Sequence, residues 1–170
     1  MLDLKNPFDE TRLCISPALI YEDGIYRMWC SSADDFEGKN RTINYYEMID
    51  GDMMELKSKH VLSKGILSHI DVVKDDGKYW LVGNDVSVDG FPLRLYSFVS
   101  PDEKDYNYEG ILLSHGKRGR WDDRVIYRPS AVWANQKLWL YYSAYGTNPN
   151  TSNHVGLIKV QNWKELLKCF

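Results

Sequence analysis

The 170-residue chain is poor in cysteine, has no block of like charge and has no long apolar run. Its three cysteines, Cys14, Cys30 and Cys169, include no CxxC pair and have no histidine at zinc-ligand spacing, which sets aside zinc ribbons and thioredoxin-like redox motifs. They read as buried free thiols behaving as small hydrophobes. The 21 basic and 24 acidic residues are interspersed and leave a formal net charge of −3, so neither nucleic acid nor an anionic membrane is expected as a partner. No apolar stretch approaches the roughly 20 residues that cross a bilayer. The N-terminus, MLDLKNPFDETR, lacks the basic-then-apolar order of a signal peptide. A cytoplasmic protein is the expectation, although a chain whose leader had been removed reads the same. Nowhere do apolar residues keep a 3.6-residue spacing for three turns, which argues against long helices. Nothing calls for a metal or cofactor: the acidic loop Asp34, Asp35, Glu37 lacks the glycine-punctuated spacing of a calcium loop.

What is plentiful is aromatic side chain, 14% of the chain, concentrated in strand-like runs. Three stretches share one layout: SPALIYEDGIYRMWCSS (16–32), HIDVVKDDGKYWLVGN (69–84) and RPSAVWANQKLWLYYS (128–143). Aligned on their turns, Gly24, Gly77 and Gln136 coincide, 53 and 59 residues apart. Each stretch has a short apolar strand, a tight EDG, DDG or ANQ turn of hairpin type, and an aromatic-rich second strand. A polar loop and a third strand follow each of them: 42–48, 93–99 and 155–160. The first two units continue to a fourth strand, near 60–62 and 110–113. The third ends in QNWKELLKCF, which reads either as one helical turn or as a terminal strand. Spacings of this size suit a four-stranded propeller blade, for which about 40 to 50 residues is typical.

The expected fold is therefore all-β, a single β-propeller-like domain over 1–170 with blades near 12–64, 65–115 and 121–170. Three blades do not close a ring, and an open arc leaves two blade faces bare. Either the chain belongs to a larger propeller or two copies meet as a homodimer through those faces. Residues 1–11 are a further candidate strand for the last blade. Trp29, Trp80, Trp133 and Trp139 lie inside strands and read as packing between blades.

The innermost strand of a propeller blade lines the central funnel, so the residues preceding each turn are where a site belongs: Ser16 and Pro17, His69 and Asp71, Tyr127 and Arg128. His69 and Asp71 stand two apart on a strand, which places an imidazole and a carboxylate on one face.

The string HIDVVKDDGKYWLVGND resembles the Ile-Asp-Pro, Asp-Asp-Gly-Lys, Tyr-Leu pattern of glycoside hydrolase family 43. SPALIYEDGIYRMW and YRPSAVWANQKLWLYYSAYG are similar to neighbouring blades of the same superfamily, which also holds families 32, 68, 117 and 130. The Tyr-Arg-Met-Trp wording is nearer the style of families 32 and 130. The resemblance implies a five-bladed propeller acting on a carbohydrate. Family 43 enzymes invert, with an Asp base, a Glu acid and a third Asp that tunes the acid. Inversion sets its two carboxyls roughly 6.5 to 9.5 Å apart.

Asp71 matches the tuning Asp, and Tyr127 stands where the acid is expected. The base belongs to a blade that the chain does not display. A tuned Asp without a proton donor and a water activator does not cleave a glycoside. Sugar binding survives that loss: His69, Arg128 and Tyr127 offer polar contacts, and Trp121, in the loop GKRGRWDDR, offers a stacking face. Each has a structural alternative. Asp71 serves equally as a carboxylate bonded to blade backbone, His69 as a satisfied structural histidine, and Arg128 as an ion-pair partner of Asp122 or Asp123. The reading is a glycoside-hydrolase-like protein acting on or binding a carbohydrate, or a non-catalytic propeller module for carbohydrate binding or homo-oligomer assembly.

Overall fold

The structure, a computed structural model, describes residues 13–35, 39–49, 55–62, 67–85, 94–148 and 153–168. They form three antiparallel sheets. The first has the order β1 (Leu13–Glu22), β2 (Ile25–Ala33), β3 (Thr42–Ile49) and β4 (Glu55–His60). The second is β5 (Leu67–Asp75), β6 (Lys78–Asp85), β7 (Arg94–Ser100) and β8 (Asn107–Ser114). The third has β9 (Val125–Ala134), β10 (Lys137–Tyr145) and β11 (His154–Val160), followed by the short helix α1 (Trp163–Leu166). β1 packs on β5 and β5 on β9, so the first strands of the three sheets share the inner side of the arc. This is the predicted all-β arrangement of propeller blades.

The turn chemistry explains the hairpins. Asp23 and Gly24, Asp76 and Gly77, and Asn135 and Gln136 all have positive φ, at 55° and 77°, 51° and 69°, and 52° and 59°. Two consecutive left-handed residues twist a two-residue turn to match its flanking strands, and Asp, Asn and Gly tolerate that geometry best.

Each strand of the middle blade divides its side chains between two interfaces. Tyr79 and Leu81 join Trp29, Ile43, Tyr45 and Phe98 between the first and second sheets. Trp80 and Val82 join Leu138, Leu140 and Trp163 between the second and third. Alternation along a strand sends neighbours to opposite faces. Because both faces of β6 are covered, its sequence reads as a continuous apolar run, Tyr79 to Val82.

Several expectations are corrected. The first fourth strand lies at Glu55–His60 rather than near 60–62, so Leu56 and Lys57 belong to it. The tail of the third unit is helical. Asn162 accepts the Glu165 N–H at 2.8 Å, and the Trp163 indole donates to Ser97 Oγ at 2.8 Å while stacking on Trp80 at 5.6 Å. One buried indole thus anchors the last blade in place of a fourth strand. Cys14 and Cys30 are not free thiols but form a disulfide between β1 and β2.

Of the four strand tryptophans, Trp29 and Trp80 are buried between sheets, whereas Trp133 is exposed and reaches the Lys74 carbonyl at 2.9 Å. Trp139 lies under the Lys159 ammonium, 3.9 Å from its ring centre. Cys169, Glu37 and the candidate strand at 1–11 lie outside the described residues.

Candidate functional site

The three inner strands lose register at equivalent points: between Ile15 and Ala18, between Leu67 and Ile70, and where Tyr127 and Ser130 of β9 pair with Ser143 and Tyr141. Ser16, His69 and Arg128 sit in these bulges, each eight residues before the second turn residue of its blade. A bulge adds a residue without a ladder partner and re-aims its side chain.

Ser16 and Arg128 adopt left-handed backbone there, with φ of 53° and 49°, although each precedes a proline. Such conformations cost about 1–3 kcal/mol each and concentrate at functional positions. Gly83, paired with Ile70, makes room for the middle bulge: a Cβ at that position would lie 2.7 Å from Leu67 Cδ1 and 3.3 Å from the His69 carbonyl oxygen.

The bulge residues meet across the blades. Ser16 Oγ and His69 Nδ1 share a hydrogen bond of 2.6 Å. The Arg128 N–H donates to Asn84 Oδ1 at 3.1 Å, and Asn84 Nδ2 donates to Ser68 Oγ at 2.7 Å. On the other flank, Ser31 Oγ donates to the Leu67 carbonyl at 2.6 Å and accepts from Arg41 Nη1 at 3.0 Å.

Ser31 and Asn84 are fully buried and occupy the same place in their blades, seven residues after Gly24 and Gly77. Each ties its own second strand to the bulge region of a neighbouring inner strand. Burial, and then the guanidiniums of Arg128 and Arg41, hold the His69 imidazole below its ordinary pKa. It is therefore neutral near pH 7, and a neutral imidazole accepts at one nitrogen and donates at the other.

His69 and Asp71 do not stand side by side. The bulge at Ser68 and His69 interrupts the two-residue alternation, so the imidazole turns to the first blade and the carboxyl to the third. Asp71 Oδ2 accepts the Ala131 N–H at 2.8 Å and Oδ1 accepts the Val72 N–H at 2.9 Å. Burial pushes the Asp71 carboxyl above the usual carboxylate range, against the lowering effect of bonds from Ala131, Val72 and Ser130.

Arg128 does not pair with Asp122 or Asp123. Its guanidinium lies over the Tyr127 ring at 5.5 Å. Asp123 instead binds the Thr147 N–H at 2.6 Å and the Gly119 N–H at 2.5 Å, and these bonds hold its carboxyl below the usual range.

Tyr127 meets Tyr145 edge-on at 6.3 Å, beside Arg128. Trp121 is half-buried, stacked on Tyr142 at 5.9 Å and edge-on to His154 at 5.6 Å, so one ring face is already covered. The structure thus gathers Ser16, His69 and Arg128, adds Asp71 on the side facing the third blade, and gives Trp121 a packing role.

Sequence reasoning missed Arg41, Ser31 and Asn84. For Ser31 and Asn84 a signal exists, a polar residue at one offset in two apolar strands. Arg41, at the entrance to β3, carries none. A cleft of about 370 Å³ lined by Asp75, Asp76, Trp80, Asn162 and Lys164 lies at the opposite end of β5. Its groups make structural bonds: Asp75 Oδ2 accepts the Trp163 N–H at 2.7 Å, and Lys164 pairs with Asp76 at 2.8 Å.

No family model matches the sequence, and no curated protein does. Solved structures do match the fold. A family 117 glycoside hydrolase from the marine bacterium Zobellia galactanivorans superposes with a TM-score of 0.72 at 18% identity, over 90% of this chain and 54% of that one. An N-acetylgalactosamine deacetylase from F. plautii, in complex with blood group B trisaccharide, gives 0.68 at 17% identity over 91% and 51%. A thermostable family-43 glycoside hydrolase gives 0.67 at 14% identity over 95% and 52%. The chain shares its blade fold with these structures and spans about half their length.

Proposed function

We propose that this chain binds a carbohydrate at the head of its inner strands, where Ser16, His69 and Arg128 converge, as the better-preserved part of a glycoside-hydrolase-like funnel. The observation that carries this reading is the coincidence of three bulges, two of them strained, which direct polar side chains of different chemistry to one place. Solved structures of the same fold are glycoside hydrolases or complexes with saccharides such as xylose and blood group B trisaccharide, which favours a sugar as the ligand. Hydrolysis requires more than the described residues display. Tyr127 stands where the resembling enzymes carry their acid, and Asp71 uses its oxygens on backbone N–H groups. Cleavage would need carboxylates from further blades or from a partner chain.

The test is a thermal-shift panel of mono- and oligosaccharides on wild type, His69→Ala and Asp71→Ala. A saccharide that raises the wild-type Tm and leaves His69→Ala unmoved supports the reading. A panel in which no saccharide shifts the wild type ends it. Binding without release of free sugar from oligosaccharides fits a module that lacks its acid and base.

A second reading, an assembly module, is favoured by the bare outer blade faces. Val155 is 70% and Leu157 41% exposed on the third blade, and Leu19 is 56% and Tyr21 59% exposed on the first. Exposed apolar sheet faces of this kind are interaction surfaces. A homodimer through them predicts a concentration-dependent shift in sedimentation coefficient. A strictly monomeric species at high protein concentration would remove this reading.

A further inference from the structure

The groups around His69 carry one sign of charge. Arg41 is tied through Ser31 to the Leu67 carbonyl, two residues before His69, with Nη1–Oγ and Oγ–O distances of 3.0 and 2.6 Å. Arg128 is tied through its backbone N–H to Asn84, which bonds Ser68, the residue before His69, at 3.1 and 2.7 Å. Two arginines are therefore tied to β5 within two residues of one imidazole, from opposite flanks, Arg41 through its guanidinium and Arg128 through its backbone. Among the described residues neither has a carboxylate within ion-pair distance, and Arg41 Nε is buried with no hydrogen-bond partner.

The nearest carboxyl in sequence, Asp71, is turned away and bonded to Val72 and Ala131. Asp35 is the acidic group that acts on Arg41, and it lies beyond ion-pair reach while accepting the Lys39 N–H at 2.9 Å. Guanidinium forks match planar and tetrahedral oxyanions in geometry as well as charge. A neutral sugar would leave both forks without a counter-charge.

We infer that the funnel head is an anion subsite, in which Arg41 and Arg128 receive the carboxylate or sulfate ester of an acidic saccharide while the Ser16 and His69 pair contacts its hydroxyls. This deepens the carbohydrate reading and rests on it. The saccharide's charged group replaces the missing counter-ion. Arg128, exposed and lying over Tyr127, is placed to close on the ligand, whereas Arg41, half-buried, is the fixed member.

The test is calorimetric titration of the full chain with trigalacturonate, with a galactose trisaccharide and with 6-sulfated galactose, at low and high sodium chloride. The inference predicts that one of the acidic ligands binds at least about tenfold more tightly than the neutral one, as expected for hydrogen bonds to charged groups. Preference for trigalacturonate identifies a carboxylate as the recognised group, and preference for the sulfated sugar identifies a sulfate ester. The preference shrinks with added salt. Arg128→Gln, at an exposed position that leaves folding intact, reduces it by about tenfold, and Arg41→Gln does so with an unchanged circular dichroism spectrum.

Equal affinity for neutral and acidic saccharides overturns the anion subsite while leaving sugar binding in place. Failure of every saccharide overturns both readings. An acidic preference that survives both substitutions overturns the assignment of these two arginines.

Discussion

Replacing Asp71 with alanine separates a joint from a ligand. Its carboxylate holds the Ala131 N–H of the third blade at 2.8 Å and the Val72 N–H of its own strand at 2.9 Å. Orphaning a buried N–H costs roughly 1–3 kcal/mol. Two are at risk, but the substitution also removes a carboxylate whose burial outweighs its bonds, as the raised pKa records. The net loss should be about 2 kcal/mol at pH 7, which at a slope of about 2 kcal/mol/M lowers the urea midpoint by roughly 1 M. Asp71→Asn keeps one acceptor oxygen and should lose about half as much.

The pH dependence has a definite sign. The folded state keeps the Asp71 proton to higher pH than the unfolded chain does, so this group adds stability as pH falls through its folded pKa toward the unfolded value of about 3.9. Wild type should therefore gain on Asp71→Asn across that window. Equilibrium urea unfolding at several pH values provides the measurement. Coincident curves for Asp71→Ala and wild type at pH 7 would refute the view of Asp71 as an interblade clasp.

His69, with its folded pKa depressed, contributes stability that is complete above about pH 6.5 and is lost as pH falls through the folded pKa; the Tm of His69→Gln should be flatter over that range, and an imidazole titrating in its ordinary range by NMR would contradict this. Reducing the Cys14–Cys30 disulfide, whose partners are 16 residues apart, should lower stability by about 3 kcal/mol in urea unfolding, whereas Cys14→Ser should be indifferent to reductant. Trp163→Ala should cost about 3–5 kcal/mol, since the indole is fully buried and its loss strands Ser97 Oγ. Unfolding within 1 kcal/mol of wild type would mean that α1 does not anchor the last blade.

The fold was legible in the sequence where chemistry is local. An Asp-Gly or Asn-containing pair between two β-rich runs specifies a hairpin turn, and three such pairs with aromatic strands behind them specify blades. The tail of the third blade was ambiguous because four helical residues carry no periodicity, and Trp163 is decided by a partner 66 residues away, Ser97. The disulfide was hidden for a similar reason: Cys14 pairs with Ser32, not with Cys30, so the two cysteines meet on a diagonal that sequence spacing does not reveal. Their place before the turn singles out His69 and Arg128, which occupy bulge positions. The separation of His69 from Asp71 was not legible, because strict alternation assumes an unbroken ladder and a bulge adds a residue without announcing itself. Arg41 lies in the loop just before β3, and only the folded chain brings it within reach of Ser31 and so of β5.

The bulges also bear on how this surface can change. A bulged residue has no ladder partner, and the strand resumes its register on either side, so altering that residue leaves the inward and outward sets of every neighbouring side chain where they were. Serine, histidine and arginine occupy equivalent places in three blades whose packing is otherwise alike. At Ser16 and Arg128 the left-handed backbone excludes β-branched replacements, while asparagine, aspartate and glycine remain open to both. The side-chain chemistry at the head of the inner strands is thereby insulated from the interior, so a sequence can exchange these few residues without disturbing the packing of its blades.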